Sequence, residues 1–154
     1  MKTFQALLNE CLQHVGEIFP WDLQEIITTR SPLLLDVREP YEFDRLHIQN
    51  SINVPRGILE TACEYGFEDT VPELVQARNR EVIVICRSGN RSVFAAHTMQ
   101  LMGYQSVVSL KTGVRGWNDY ELPLYNSENQ PVEMDAADAL LNKSPRPDQL
   151  APSS

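Results

Sequence analysis

Apolar residues near the start of the chain recur at helical spacing: Phe4, Leu7, Leu8, Cys11, Leu12 and Val15. The pattern predicts an amphipathic helix over residues 3–16, with Cys11 on its buried stripe and Gly16 as its stop. A second helix is predicted from Pro20, a favoured first helical residue, with Leu23, Ile26 and Ile27 along one face. The texture then changes to short unbroken apolar runs: "LLLDV" (33–37), "INV" (52–54), "VIVI" (82–85) and "SVVSL" (106–110). Runs without polar alternation suit strands covered on both faces, as in a parallel sheet. Between them, Thr70 and Glu73 stand at capping-box spacing, predicting a helix start. Residues 92–102 read as a helix ending at Gly103, and "KTGVRGWNDYELPL" reads as a turn and short helix with Trp117 facing the core. Strands alternating with helices define the expected class, α/β with an open, mainly parallel sheet flanked by helices on both faces.

The regular pattern ends after Pro123. Residues 126–154 are acidic and rich in Pro, Ser, Asp and Asn, with one weak helical patch at 132–142, and are expected to form a largely mobile tail. The expected organisation is therefore a helical extension over 1–18, one domain over 19–125 and the tail over 126–154. A length of 154 residues fits one core and not two.

Composition narrows the function. A hydrophobic fraction of 42% and a charged fraction of 22% suit a globular domain. No apolar run approaches bilayer length, and Asn9, Glu10 and His14 interrupt any signal-peptide core, so a cytoplasmic, non-membrane protein is expected. A net charge of -8 opposes nucleic-acid binding. Cys11, Cys63 and Cys86 are odd in number and lie far apart, without metal-ligand spacing, so neither a disulfide framework nor a metal site is expected.

What positive charge there is gathers around Cys86, in "CRSGNRS". If Ile85 ends a strand and Ser92 begins a helix, residues 86–91 form a loop at the carboxyl edge of the sheet, where open α/β folds bind ligands. A loop curling over a helix N-terminus turns its N–H groups inward and stabilises an anion at its centre. Gly89 allows the backbone conformation such a tight turn needs, and Arg87 and Arg91 add full charges. The sulfur of Cys86 is itself a candidate for that anion, so a thiolate nucleophile that needs no histidine base is expected. Asp36, Glu42, His47 and His97 read as structural or surface groups, and Cys63 as buried.

The segments "LLLDVREPYEFDRLHIQNSINVPRG", "VIVICRSGNRS" and "SLKTGVRGW", in that order, resemble a single-domain rhodanese, a sulfurtransferase, over residues 19–125. The resemblance implies that Cys86 accepts a sulfane sulfur from thiosulfate or a persulfide donor and becomes a persulfide. The loop of Arg87, Ser88, Gly89, Asn90, Arg91 and Ser92 would hold that persulfide, Arg87 would help set substrate preference, and Asp36 and Arg38 would brace the sheet edge. Cyanide or a thiol would then take the sulfur. The implied partners are small sulfur donors and acceptors or a protein persulfide, and no cofactor is implied. Leu46 before His47 and Thr112 in "KTG" stand where the family usually has glycine. Two alternatives remain: a carrier or sensing module bearing the same persulfide without turnover, and a cysteine-dependent phosphatase.

Overall fold

The structure, a computed structural model, describes residues 1–153. Five parallel strands form its sheet: β1 (Glu17–Ile18), β2 (Leu33–Asp36), β3 (Ile52–Asn53), β4 (Glu81–Ile85) and β5 (Ser106–Leu110). They lie in the spatial order β1-β5-β4-β2-β3. The unbroken apolar runs are explained by two separate cores. Leu33, Leu35, Val82, Val84 and Val107 enter one, with Leu8, Leu59, Val93 and Met99. Leu34, Ile83, Ile85 and Leu110 enter the other, with Leu23, Trp117 and Leu124. Successive side chains of a strand point to opposite faces. Here both faces are covered, so every position of β2 and the last four of β4 are buried.

The first core is closed by α1 (Phe4–Leu12), α4 (Leu59–Ala62), α5 (Pro72–Val75) and α6 (Arg91–Leu101), the second by α2 (Pro20–Thr29) and α7 (Gly113–Asp119). A short α3 (Pro40–Arg45) lies between β2 and β3. From β2 the chain moves outward to β3, and from β4 it moves the other way to β5. The loops after β2 and β4 therefore diverge and leave a crevice at the carboxyl edge, the position that favours ligand binding in open parallel sheets.

Local boundaries differ from the sequence pattern for identifiable reasons. The first helix is shorter than 3–16: Thr3 caps it, its side chain accepting from Ala6 N at 3.1 Å, and it ends at Leu12. Only Leu8 is fully buried; Cys11 is half-buried and Phe4 and Leu7 are exposed, because α1 rests on α6 by one narrow stripe. On α2, Leu23 is buried while Ile27 is exposed. Thr70 forms no capping box with Glu73. Its hydroxyl donates to Glu64 O and accepts from Phe67 N in a turn, and α5 instead starts on Pro72.

Two elements lie within the segment expected as a tail. Strand β7 (Pro131–Val132) pairs antiparallel with β6 (Leu124–Tyr125), and α8 (Met134–Leu141) buries Ala137 and Leu141 against the second core. Met134 at the start of α8 is exposed, but Ala137 and Leu141 fall on one stripe that meets the second core, so the composition of the segment understated its packing. Among the described residues no helix is long and apolar enough to cross a membrane.

Candidate active site

Cys86 follows β4 directly and keeps its alternation, falling on the same face as Val82 and Val84. It is 1% exposed. Gly89 N donates to its Sγ at 3.1 Å and Ser92 N at 3.4 Å, so two of the loop N–H groups reach the sulfur. Gly89 has φ +92°, and a Cβ there would meet Thr112 N at 2.9 Å; the turn has room for hydrogen alone. Ser92 Oγ lies 3.2 Å from Sγ and 2.7 Å from Ser109 Oγ. With an ionised sulfur the hydroxyl protons can run one way, from Ser109 to Ser92 to Sγ, adding a third donor. Among the described residues the N–H groups of Arg87, Ser88 and Asn90 have no acceptor in the chain, and remain for a ligand at the loop.

The loop backbone is gripped from α7. Val114 N donates to Cys86 O and Arg115 N to Arg87 O, each at 2.9 Å. That approach depends on Gly113, with φ +60°, where a Cβ would stand 2.4 Å from Cys86 O. Thr112 takes the left-handed conformation that explains the family's usual glycine, at φ 68°. Its side chain occupies the space where a Cβ on Gly116 would lie, so the small residue at 116 accommodates the departure at 112. The other departure is harmless: Leu46 is in extended backbone, φ −164°, and needs no glycine.

Asp36 and Arg38 meet at the end of β2. The Arg38 guanidinium reaches Asp36 Oδ1 at 3.0 Å and Oδ2 at 2.8 Å and donates to Leu46 O at 2.7 Å, with both side chains almost fully buried. Val37 N donates to Ile85 O, tying this corner to the base of the Cys86 loop. Asn53 Nδ2, at the end of β3, donates to Asp36 O and Arg38 O. The side chain of Arg91 points away from the loop centre and grips Glu42 with both Nη atoms, at 2.9 and 3.0 Å. The charge of Arg91 is therefore committed to α3. The imidazole of His47 stacks on Phe43 and bonds Phe43 O, while His97 stacks on His14; neither touches the sulfur.

Burial alone would push the Glu42 carboxyl up, but hydrogen bonds from Arg91 and Glu39 N and the charges of Arg91 and Arg38 hold it below its ordinary value. A carboxyl with a lowered folded pKa contributes stability above its unfolded value and loses it as pH falls through the folded one. Glu42→Gln should therefore cost about 1 kcal/mol near neutrality, with Arg91 partly exposed. It should also flatten the acid limb of stability against pH, as urea titrations at several pH values would show. Burial pushes the thiols of Cys63 and Cys11 up, disfavouring their ionised forms, and Cys63 is fully buried.

Ser109, Gly113 and Asn53 belong to this site, and no local pattern marks Ser109 or Asn53. Only the "TG" of "KTGVRG" hinted at a special turn.

The fold finds its counterpart in known proteins. The profile of the rhodanese-like domain matches residues 20–120, and the chain belongs to that family. A sulfurtransferase of Allochromatium vinosum is 28% identical over 105 residues, covering 68% of this chain and 89% of its own. An adenylyltransferase and sulfurtransferase of Drosophila virilis is 31% identical over 108 residues, 68% of this chain but 23% of its own. A solved structure from Rhodopseudomonas palustris, described as a possible tyrosine phosphatase, superposes with a TM-score of 0.72 at 24% identity. It covers 80% of this chain and 94% of that one, a likeness of fold alone. The chain spans about half the length of the first relatives it matches. It is a rhodanese-like protein, of a family that includes sulfurtransferases.

Proposed function

We propose that the protein takes a sulfane sulfur from thiosulfate or a persulfide donor onto Cys86 and passes it to cyanide or a thiol. The observation that carries this reading is the pair of N–H donors, from Gly89 and Ser92, aimed at a single buried sulfur. Donors fixed before reaction favour an anionic sulfur at no cost of reorganisation. In the first displacement the Cys86 thiolate attacks the outer sulfur of the donor. The donor S–S bond breaks, its electron pair leaves with sulfite or a thiolate, and a persulfide anion remains. The N–H groups of Arg87, Ser88 and Asn90 suit the outer sulfur of that persulfide. In the second displacement the acceptor attacks this sulfur and the electron pair returns to Cys86. Electrons and atoms balance without a cofactor.

A phosphatase reading needs a guanidinium over the loop to bind phosphoryl oxygens, and Arg91 is engaged by Glu42. A carrier reading shares the persulfide and differs only in its acceptor.

Intact mass after thiosulfate should rise by about 32 Da, one sulfur atom, and fall back on addition of cyanide. Peptide mapping should place the sulfur on Cys86, because burial raises the thiol pKa of Cys63 and Cys11 and disfavours their thiolates. Sulfur on Cys63, or none from thiosulfate or an organic persulfide, would refute the assignment. Uptake without repeated turnover to any small acceptor would favour the carrier.

A further inference from the structure

A cavity of about 70 Å³ lies between α3, the start of the Cys86 loop and the end of α8. Its charges do not balance. On its walls, Arg38 is paired with Asp36 and Glu42 with Arg91. The cavity is also lined by Arg45, Arg87 and Lys143, which form no ion pair among the described residues. Moreover, Arg87 Nε is shut off from solvent and donates to nothing, a state that buried polar groups rarely keep. In a chain of net charge -8, three unpaired cations gathered at one small cavity repel one another unless an anion joins them.

Arg87 is the residue after Cys86, so the cavity lies at the start of the loop that carries the reacting sulfur. Leu141 and Lys143, on its far wall, lie beyond residues 20–120 matched by the family profile. This wall is supplied by the segment that forms α8.

We propose that the cavity is a carboxylate subsite for a small organic thiol and for the persulfide of that thiol, with Arg87, Arg45 and Lys143 as its cationic ligands. The proposal rests on the sulfur transfer inferred above and names its substrate class. Its volume admits one carboxylate, and a guanidinium fork matches carboxylate geometry. Thiosulfate carries its charge on the reacting group itself and needs no second anion site. The acceptor thiolate attacks the outer sulfur of the Cys86 persulfide, the S–S bond breaks, and its electron pair returns to Cys86 Sγ. The product leaves as an organic persulfide anion, with no oxidant or reductant required. In the reverse direction the same persulfide is a donor.

Two measurements test this. With thiosulfate as donor, the kcat/KM for mercaptoacetate divided by that for neutral 2-mercaptoethanol should fall roughly five-fold in both Lys143→Ala and Arg45→Ala. Arg146→Ala removes an equal charge that pairs with Asp148 outside the cavity, and should keep the wild-type ratio. An unchanged ratio in both cavity variants would overturn the proposal while leaving sulfur transfer intact. The second measurement needs no turnover: methylthioacetate, which cannot accept sulfur, should bind the wild-type protein saturably and Lys143→Ala several-fold more weakly, with the neutral amide binding neither. No binding to the wild type overturns the subsite. Binding by a protein that never acquires sulfur supports the subsite and refutes the transfer reading instead.

Discussion

Serine in place of Cys86 should abolish sulfur transfer, lowering turnover at least a thousand-fold, on the order seen for lost nucleophiles, while the chain stays folded. The fold should tolerate the change because the new hydroxyl stands where Sγ accepted from Gly89 N and Ser92 N and can be satisfied by the same groups. Its cost should stay within about 1 kcal/mol, since no buried polar atom loses its partners. The chemistry should not tolerate it. An alcohol is intrinsically far less acidic than a thiol and a far poorer nucleophile toward sulfur, and two or three hydrogen bonds supply only a few kcal/mol toward closing that gap. Transfer to cyanide measured beside a thermal melt separates the two effects. Activity within ten-fold of wild type in a folded Cys86→Ser protein would remove Cys86 from the reaction.

How much of this arrangement the sequence revealed depended on whether the cause was local. The strands were legible because burial on both faces leaves no polar alternation, and β4 and β5 carry that mark in "VIVI" and "SVVSL". The loop was legible because cysteine, glycine and two arginines within six residues have few local explanations. Long-range partners were not. Ser109 sits inside β5 like any small strand residue, and only β4–β5 pairing brings it to Ser92. Gly113 looked like an ordinary turn glycine, but its need for hydrogen at Cα arises from the Cys86 carbonyl, far away in sequence. Arg91 reads in the sequence as a charge for the loop, and only the placement of α3 brings Glu42 beside it. The extent of α1 was overread because helical periodicity predicts a face without saying how wide a surface covers it. The segment after Pro123 was underread for the opposite reason: Ala137 and Leu141 make a short pattern, and the surface of α7 gives it value.

Asp36→Ala should be among the most costly single changes, destabilising the fold by about 3–5 kcal/mol. The carboxylate is fully buried, and the Arg38 side chain opposite it is 2% exposed. Arg38 N and Nε both donate to Oδ1, and Nη2 to Oδ2; truncation removes both acceptor oxygens and leaves Leu46 O as the guanidinium's remaining partner. An unpaired guanidinium cannot lose its proton to escape, so it must draw water in or pull the corner of β2 outward. Against a typical total of about 5–15 kcal/mol, that threatens folding at physiological temperature. Removing both charges should be gentler than removing one. The Asp36→Ala/Arg38→Met pair should recover a large part of the loss, and the double-mutant cycle measures the coupling. The same change should reach the chemistry, because Val37 N holds Ile85 O immediately before Cys86. Sulfur transfer by Asp36→Ala should therefore fall even at temperatures where it remains folded, and recover in the double variant in parallel with stability. An unfolding free energy from urea titration that fell by less than about 1 kcal/mol would mean that solvent already reaches the pair.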